Sequence, residues 1–431
     1  MPDQLVITEE FQQAFDLMEN TRNCAYITGK AGTGKSTLLN YFRQKTRKNC
    51  VMLAPMGIAA IKVEGATINS FFHFPPKIID NRNIFPDRKR QELFKRLEMI
   101  IIDEVSMVRA DIIDGIDYSL RINRQNNAPF GGVQMIFFGD LYQLAPVIVG
   151  NGLKQYFERH YGGVYFFNAR VFTKLDFQYL ELQIIFRQKD EQFKNILNSV
   201  RENKISASEL AVLNKQYQPG HTYEENDLHL TLTATNKVME SINRERMENQ
   251  PGKEYRFQAI ITGNMDPSSY PTDPVLVLKQ GAQIMLLKND SKKRWVNGSL
   301  GRISQISNSA IWVEINGSSY FLERANWEVI EYAYNSKEKK IDAVVKGSFS
   351  QFPIQAAWAM TIHKSQGQTF NSIVIDLGNG AVSHGQTYVA LSRCTSLEKI
   401  ILKSPIRKRD IILDENVKQF IHSKTGNKKA R

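Results

Sequence analysis

The nine residues "GKAGTGKST", Gly29 to Thr37, decide the fold. They follow the apolar run "CAYIT" and lead into "KSTLLNYFRQK", which carries a helical pattern. Glycine, four residues, then Gly-Lys-Ser/Thr is the spacing of a phosphate-binding loop between a strand and a helix. Gly29, Gly32 and Gly34 let the backbone turn its N–H groups onto phosphate oxygens, with Ala31, Thr33 and Thr37 in the same turn. The helix that follows presents its positive end to them. Lys35 is expected to reach the β and γ phosphates, and Ser36 to hold Mg2+.

Outward from this loop, the first half alternates short apolar runs with helical patterns, as a parallel sheet flanked by helices does. "CAYIT", "NCVMLAP", "EMIIIDE", "VQMIFFGD" and "FQYLELQ" are the strand candidates. Open parallel sheets gather their ligands beyond the carboxyl ends of the strands, so chemistry is expected there. "IIIDEVS" places Asp103 and Glu104 at one such end, Asp103 to bind magnesium through water and Glu104 to act as general base. "FFGDLYQLAPV" places Gln143 at the next, an uncharged side chain able to contact the γ-phosphate or the attacking water.

The second half repeats the pattern without a phosphate loop: "LHLTLTATN" and "SIVIDL" read as strands, and Asn236 as a helix cap. Residues 284–346 have another texture, short β runs separated by Asn-Gly and Gly turns, as in a small inserted barrel. Arg187 in "IIFRQ" and Arg393 in "YVALSRC" follow apolar segments, where a charge must lie at an edge or be paired. A nucleotide between two sheets would supply the pairing, and arginines so placed stabilise charge on a transferring phosphate.

The composition is compatible with this. At 431 residues, 42% hydrophobic, the chain can bury more than one core. Lys and Arg number 56 against 44 Asp and Glu, and the net +12 favours a polyanionic partner. Cys24, Cys50 and Cys394 lie far apart, which suggests neither a zinc site nor a disulfide framework. "MPDQLVITEE" lacks a signal pattern and runs such as "MIIIDEV" are too short to cross a bilayer, so a cytoplasmic protein without a membrane partner is expected.

In order and spacing, "GKAGTGKST", "IIIDEVSM", "GDLYQLAPV", "FRQ", "WAMTIHKSQGQTF" and "YVALSRC" resemble the six motifs of superfamily-one B helicases. "INRQNNAPFGGVQMIFFGDLYQL" and "LKQGAQIMLLKND" resemble the petite-integration-frequency (PIF) DNA helicases, over nearly the whole chain. The resemblance implies an α/β fold of two RecA-like P-loop cores, residues 1–63 with 79–181 and residues 182–283 with 347–431. It adds a wedge subdomain at 64–78 and an SH3-like β-barrel at 284–346. The implied activity is ATP-dependent 5′-to-3′ unwinding by a nucleoid-associated monomer moving on single-stranded DNA, with forks, R-loops or G-quadruplexes as structured substrates. An ATP-switched single-strand binding protein and an RNA helicase stay open, because phosphate gripping is common to all three.

The same resemblance places Gly367 near the γ-phosphate. It assigns DNA contacts to Pro55, Met56 and Gly57, to Thr67 and Asn69, to Ala234 and Asn236, and to Thr361, His363, Lys364 and Ser365. Phe11 stands where the family usually carries an adenine-reading glutamine, with Gln4, Gln12 and Gln13 nearby, and Gln4 is taken for that role. Asn69 and Ala145 replace a more usual histidine and proline. The segment "INSFFHFPP", Ile68 to Pro76, matches the start of the wedge. Phe71, His73 and Phe74 are expected to divide between anchoring it to the core and stacking on bases, since stacking tolerates any sequence.

Overall fold

The computed structural model describes residues 6–426 except 76, 149, 189 and 221–227. Its first sheet has six strands, all parallel, in the spatial order Ala66–Thr67, Cys50–Ala54, Met99–Ile102, Gln134–Phe138, Ala25–Gly29, Gln178–Leu182. The three strands Met99–Ile102, Gln134–Phe138 and Ala25–Gly29 are buried at every position, as strands covered on both faces must be. One face packs around Tyr26, Phe94, Phe130 and Phe137, the other around Phe11, Met18, Leu38 and Phe42. Phe11, where an adenine-reading glutamine was considered, is thus a core residue set edge-on against Tyr41.

The second sheet, also parallel, runs Ala359–Thr361, Leu230–Thr233, Ile373–Asp376, Ile400–Leu402. Two parallel sheets of this kind face each other through their strand ends. Ala31 and Leu144, from the first domain's loops, belong to the hydrophobic cluster of the second. Helix Asn236–Asn249 is capped by Thr235, whose side chain accepts the Val238 N–H, so Asn236 is its first residue rather than its cap.

Antiparallel pairing begins at Glu254, well before position 284, and ends at Ala356, past 346. Glu254–Gln258 pairs with Val275–Lys279, and five further strands form a sheet around Ile284, Val313 and Leu322. The long hairpin Ala325–Asn335 and Lys340–Gln351 reaches back to the first domain. There the Tyr332 hydroxyl accepts the Met52 N–H at 3.1 Å and faces the Met52 carbonyl at 3.4 Å, while Asn49 Oδ1 accepts the Ile341 N–H at 3.0 Å.

The chain's last described helix, Glu415–Gly426, also returns to the first domain. Val417 is buried in that domain's core, Phe420 stacks on Phe167 with centroids 4.2 Å apart, and Lys424 pairs with Asp176 at 3.0 Å. Residues 415–426 therefore pack with the first core and not, as their place in the sequence suggested, with the second. No helix of the described residues is long and apolar enough to cross a membrane.

Candidate functional site

The phosphate-binding loop sits between strand Ala25–Gly29 and helix Lys35–Lys45. Gly32 has φ +84°, a conformation that L side chains rarely adopt, and an added Cβ would collide with the side chain of Arg187. Only glycine lets Arg187 lie this close to the loop. The Lys35 ammonium lies over the Gly29 and Lys30 carbonyls at 2.6 and 3.0 Å, within the loop. Burial lowers its proton affinity, and Asp140, Glu104 and Asp103 partly restore it, which marks all three carboxylates as its neighbours. Ser36 and Thr37 stand in the first turn of the helix.

Asp103 and Glu104 follow strand Met99–Ile102. Burial and the neighbouring Glu104 push the Asp103 carboxyl up to about 6. Glu104 occupies the left-handed region at φ 51°, ψ 41°, an unfavourable geometry for a side-chain-bearing residue that concentrates at working sites. Its carboxylate accepts a hydrogen bond from Gln366 Nε2 of the second domain at 2.9 Å, and Gly367 lies beside it, with Lys62 Nζ 3.4 Å from the Gly367 carbonyl. Gln143 is buried, its amide donating to Asp140 Oδ2 at 3.3 Å.

Arg187 and Arg393 converge on this cleft. Arg393 is 1% exposed and its guanidinium is spent on carbonyls and a hydroxyl: Val389 O at 2.9 Å, Ser365 O at 3.3 Å, Gln368 O at 3.2 Å and Ser392 Oγ at 2.8 Å. Arg187 donates to the Ser392 carbonyl at 3.1 Å. Among the described residues neither takes part in an ion pair. Burial and the charge of Arg187 push Arg393 down to about 9, and burial lowers Arg187 as well. A buried and a half-buried cation side by side, with Glu104 near both but in an ion pair with neither, repel each other, and an anion between them relieves both.

Of the nucleotide-site residues named from sequence, Gly29, Ala31, Gly32, Thr33, Gly34, Lys35, Ser36 and Thr37 form one loop and helix turn. Asp103, Glu104, Gln143, Arg187, Gly367 and Arg393 gather around that loop. Gln4 lies outside the described residues. Gln366, Asp140, Arg201, Tyr388 and Phe186 belong to the same cleft and were not singled out from sequence. Gln366 lies inside the quoted "WAMTIHKSQGQTF" and Asp140 inside "GDLYQLAPV", so their motifs were in view. Phe186 is 49% exposed beside Gly34, with its N–H on the Gly32 carbonyl at 2.9 Å.

The residues assigned to DNA are distributed differently. Met56, Asn236 and Lys364 are exposed, and Pro55, Gly57, Thr67, Asn69, Ala234 and His363 are half-buried. Gly57 packs flush against Ser269 of the antiparallel module. Thr361 and Ser365 are buried, with hydroxyls on the Lys364 N–H and the Ile362 carbonyl. Ser365 also offers its carbonyl to Arg393, which ties this segment to the cleft. Phe71 and Phe74 are corrected from stacking surfaces to core: they are 2% and 6% exposed, Phe71 edge-on to Phe72 and Phe74 stacked on Phe72. The left-handed turn at His73 folds Phe74 back inward and leaves His73 outside. Beyond the 64–78 bounds, Phe85 is exposed, 75% accessible, between Arg82 and Arg88 in sequence.

Comparison with known proteins gives concordant matches. A PIF1-like helicase family model matches residues 4–210, and a second helicase model matches residues 317–430. ATP-dependent DNA helicase Pif1 of Bdellovibrio bacteriovorus is 30% identical over 97% of this chain and 92% of its own length. The chain spans 57% of the length of the Emericella nidulans and human proteins named ATP-dependent DNA helicase PIF1. The structure of Bacteroides sp. Pif1 in complex with ADP-AlF4 superposes with a TM-score of 0.89, at 36% identity and with 98% of each chain covered. Bacteroides Pif1 bound to ssDNA gives 0.71, at 37% identity and with 97% of each covered.

Proposed function

The chain belongs to the PIF1-like helicase family, and from that membership we propose that it is an ATP-hydrolysing DNA helicase whose cleft works as follows. The observation that carries the reading is the pair Arg187, half-buried, and Arg393, buried, neither in an ion pair among the described residues, beside a phosphate-binding loop. A triphosphate satisfies both.

Lys35 leaves the loop carbonyls for the β and γ phosphates. Water attacks the γ-phosphorus, Glu104 takes its proton, and the bond to the ADP oxygen breaks while Arg187 and Arg393 stabilise the spreading charge. Gln143 contacts the γ-phosphate. Phe186, an exposed ring beside Gly34, provides a stacking face for the base. Ser36 and Asp103 are hard oxygen donors suited to Mg2+, and the Asp103 carboxyl is raised first by burial and then by the neighbouring Glu104. Held by Ser36 and Asp103, Mg2+ would neutralise part of the charge on the transferring phosphate.

We further propose single-stranded DNA as the track, held by backbone and side-chain donors around Met56, Thr67, Asn69, Asn236, His363 and Lys364. These can hold phosphates without reading sequence. Movement is 5′ to 3′, by a cytoplasmic monomer, with forks and G-quadruplexes as structured substrates. The excursion after Thr67 is the wedge at the duplex junction, with Phe85 beyond it as the stacking ring. The antiparallel module, docked through Tyr332 and against Gly57, undocks when DNA enters. The lower similarity to the DNA-bound relative supports this reading, as does Ser269 covering one of the assigned contacts.

ATP hydrolysis measured with DNA and with RNA oligomers tests the assignment. Stimulation by DNA supports it, stimulation by RNA alone replaces DNA as the track, and an absence of stimulation by either refutes a nucleic-acid motor.

A further inference from the structure

The loop Asp140–Gln143 belongs to the first domain by sequence, where Leu141 packs in the core and donates its N–H to the Tyr26 hydroxyl at 3.2 Å, yet several of its polar contacts are made by the second. Asp140, 1% exposed, is the hub. Its Oδ1 accepts from Arg201 at 3.1 Å, and its Oδ2 accepts both from Gln143 Nε2 and from the Tyr388 hydroxyl, each at 3.3 Å. The same Tyr388 oxygen accepts the Ala31 N–H of the phosphate loop at 3.1 Å. One hydroxyl of the second domain thus joins the phosphate loop to the carboxylate that holds Gln143. The neighbouring segment grips the loop's backbone. His384 Nδ1 accepts the Asp414 N–H at 3.0 Å, so Nε2 carries the proton and donates to the Leu141 carbonyl at 2.7 Å. Gly385, at φ +71°, lies so close to the Gln143 carbonyl that a Cβ there would overlap it. Arg393 lies just past the end of the helix Gln386–Leu391 that carries Tyr388 and anchors on its Val389 carbonyl.

We propose that Tyr388 and His384 are positioning residues for hydrolysis: from the second domain they set where Gln143 stands relative to the phosphate loop. The proposal rests on Gln143 being the γ-phosphate contact. Tyr388 shares Asp140 Oδ2 with the Gln143 amide. Its hydroxyl weakens the hydrogen bond that parks Gln143 and keeps the side chain free to move to the nucleotide. His384 fixes the height of the loop from behind. Arg201, whose guanidinium stacks on the Tyr142 ring with its centre 3.9 Å from the ring centroid, holds Asp140 in place; burial raises that carboxyl, but Arg201, Lys35 and the hydrogen bonds from Arg201 and the Tyr142 N–H together lower it below its ordinary value.

The test is steady-state ATP hydrolysis of the full chain with a single-stranded DNA oligomer. Tyr388→Phe keeps the ring and loses only the hydroxyl. It is expected to lower kcat about tenfold while KM for ATP stays within about twofold. In a Gln143→Ala background the same change is expected to cost less than about twofold in kcat, because the hydroxyl acts through Gln143. His384→Ala lowers kcat in the same way, and His384→Gln, whose amide can both donate to Leu141 and accept from Asp414, restores it to within about threefold. An undiminished kcat in both Tyr388→Phe and His384→Ala overturns the proposal, as does the full loss persisting without Gln143. A wild-type chain without DNA-stimulated turnover refutes the reading of the cleft itself, whereas an active wild type with indifferent variants refutes only the positioning role.

Discussion

Removing one hydroxyl tests how the antiparallel module is held. Tyr332 is 6% exposed in the first domain's core, and its oxygen accepts the Met52 N–H, a backbone donor just before the short strand Ala66–Thr67 takes up the pairing. In Tyr332→Phe the ring packing stays while that N–H is left buried without a partner, which costs about 1–3 kcal/mol. The cost is incurred only while the module is docked, because water reaches Met52 once it leaves. If DNA entry requires undocking, the docking equilibrium weakens by about 5-fold to 150-fold, and the apparent Kd for single-stranded DNA falls by the same factor until undocking is no longer limiting. Fluorescence anisotropy with a labelled oligonucleotide, without nucleotide, reads this directly. An unchanged or raised Kd, with thermal stability preserved, would refute the idea that this docking competes with DNA.

Other expectations follow from the same geometry. Lys35→Ala should abolish ATP turnover and leave single-strand binding within about threefold, since the DNA donors lie outside the phosphate loop, as anisotropy and a phosphate-release assay will show. Phe85→Ala should slow strand separation by about 5-fold to 50-fold with little change in DNA-stimulated hydrolysis, because one stacking contact is worth about 1–3 kcal/mol and touches no part of the cleft. Asp140→Ala removes the nearer carboxylate of the buried Arg201, leaving it Glu181 at 3.7 Å, and should lower unfolding stability by up to about 3–5 kcal/mol in denaturant titration. Burial holds His384 below its ordinary value of 6.5. The unfolded chain therefore binds a proton that the folded one resists, and the stability His384 contributes is complete above 6.5 and is lost as pH falls below it. Thermal midpoints from pH 7.5 to 5.5 should fall less steeply in His384→Gln than in the wild type.

How much of this was legible in the sequence depended on whether one residue or an encounter of distant residues carried the information. Strands such as "MIII" and "QMIFF" are buried on both faces and read as unbroken apolar runs, so the first sheet and its carboxyl-end chemistry could be seen in advance. Arg187 and Arg393 were visible because a charge after an apolar segment needs a counterpart. Tyr388, by contrast, is one aromatic in a buried helix, and its hydroxyl matters only because Ala31 and Asp140 meet it across the domain boundary. Aromatic density drew attention to Phe71 and Phe74, but a short helix followed by a left-handed residue turns both inward, and local composition does not reveal that turn. The strand Glu254–Gln258 lacks the Asn-Gly and Gly turns that marked the later barrel strands and acquires its structure by pairing with Val275–Lys279. Val417 and Phe420 are too sparse a pattern to say which core they join; packing against Phe167 decides it.

The central claim is that ATP hydrolysis in this cleft drives movement along one DNA strand. Strand displacement on duplexes carrying a 5′ or a 3′ single-stranded tail, with ATP and Mg2+, tests it most directly, with Glu104→Gln as the hydrolysis-deficient control. The account predicts displacement from the 5′-tailed duplex by the wild type alone. Equal displacement by Glu104→Gln, or a preference for the 3′ tail, would contradict it.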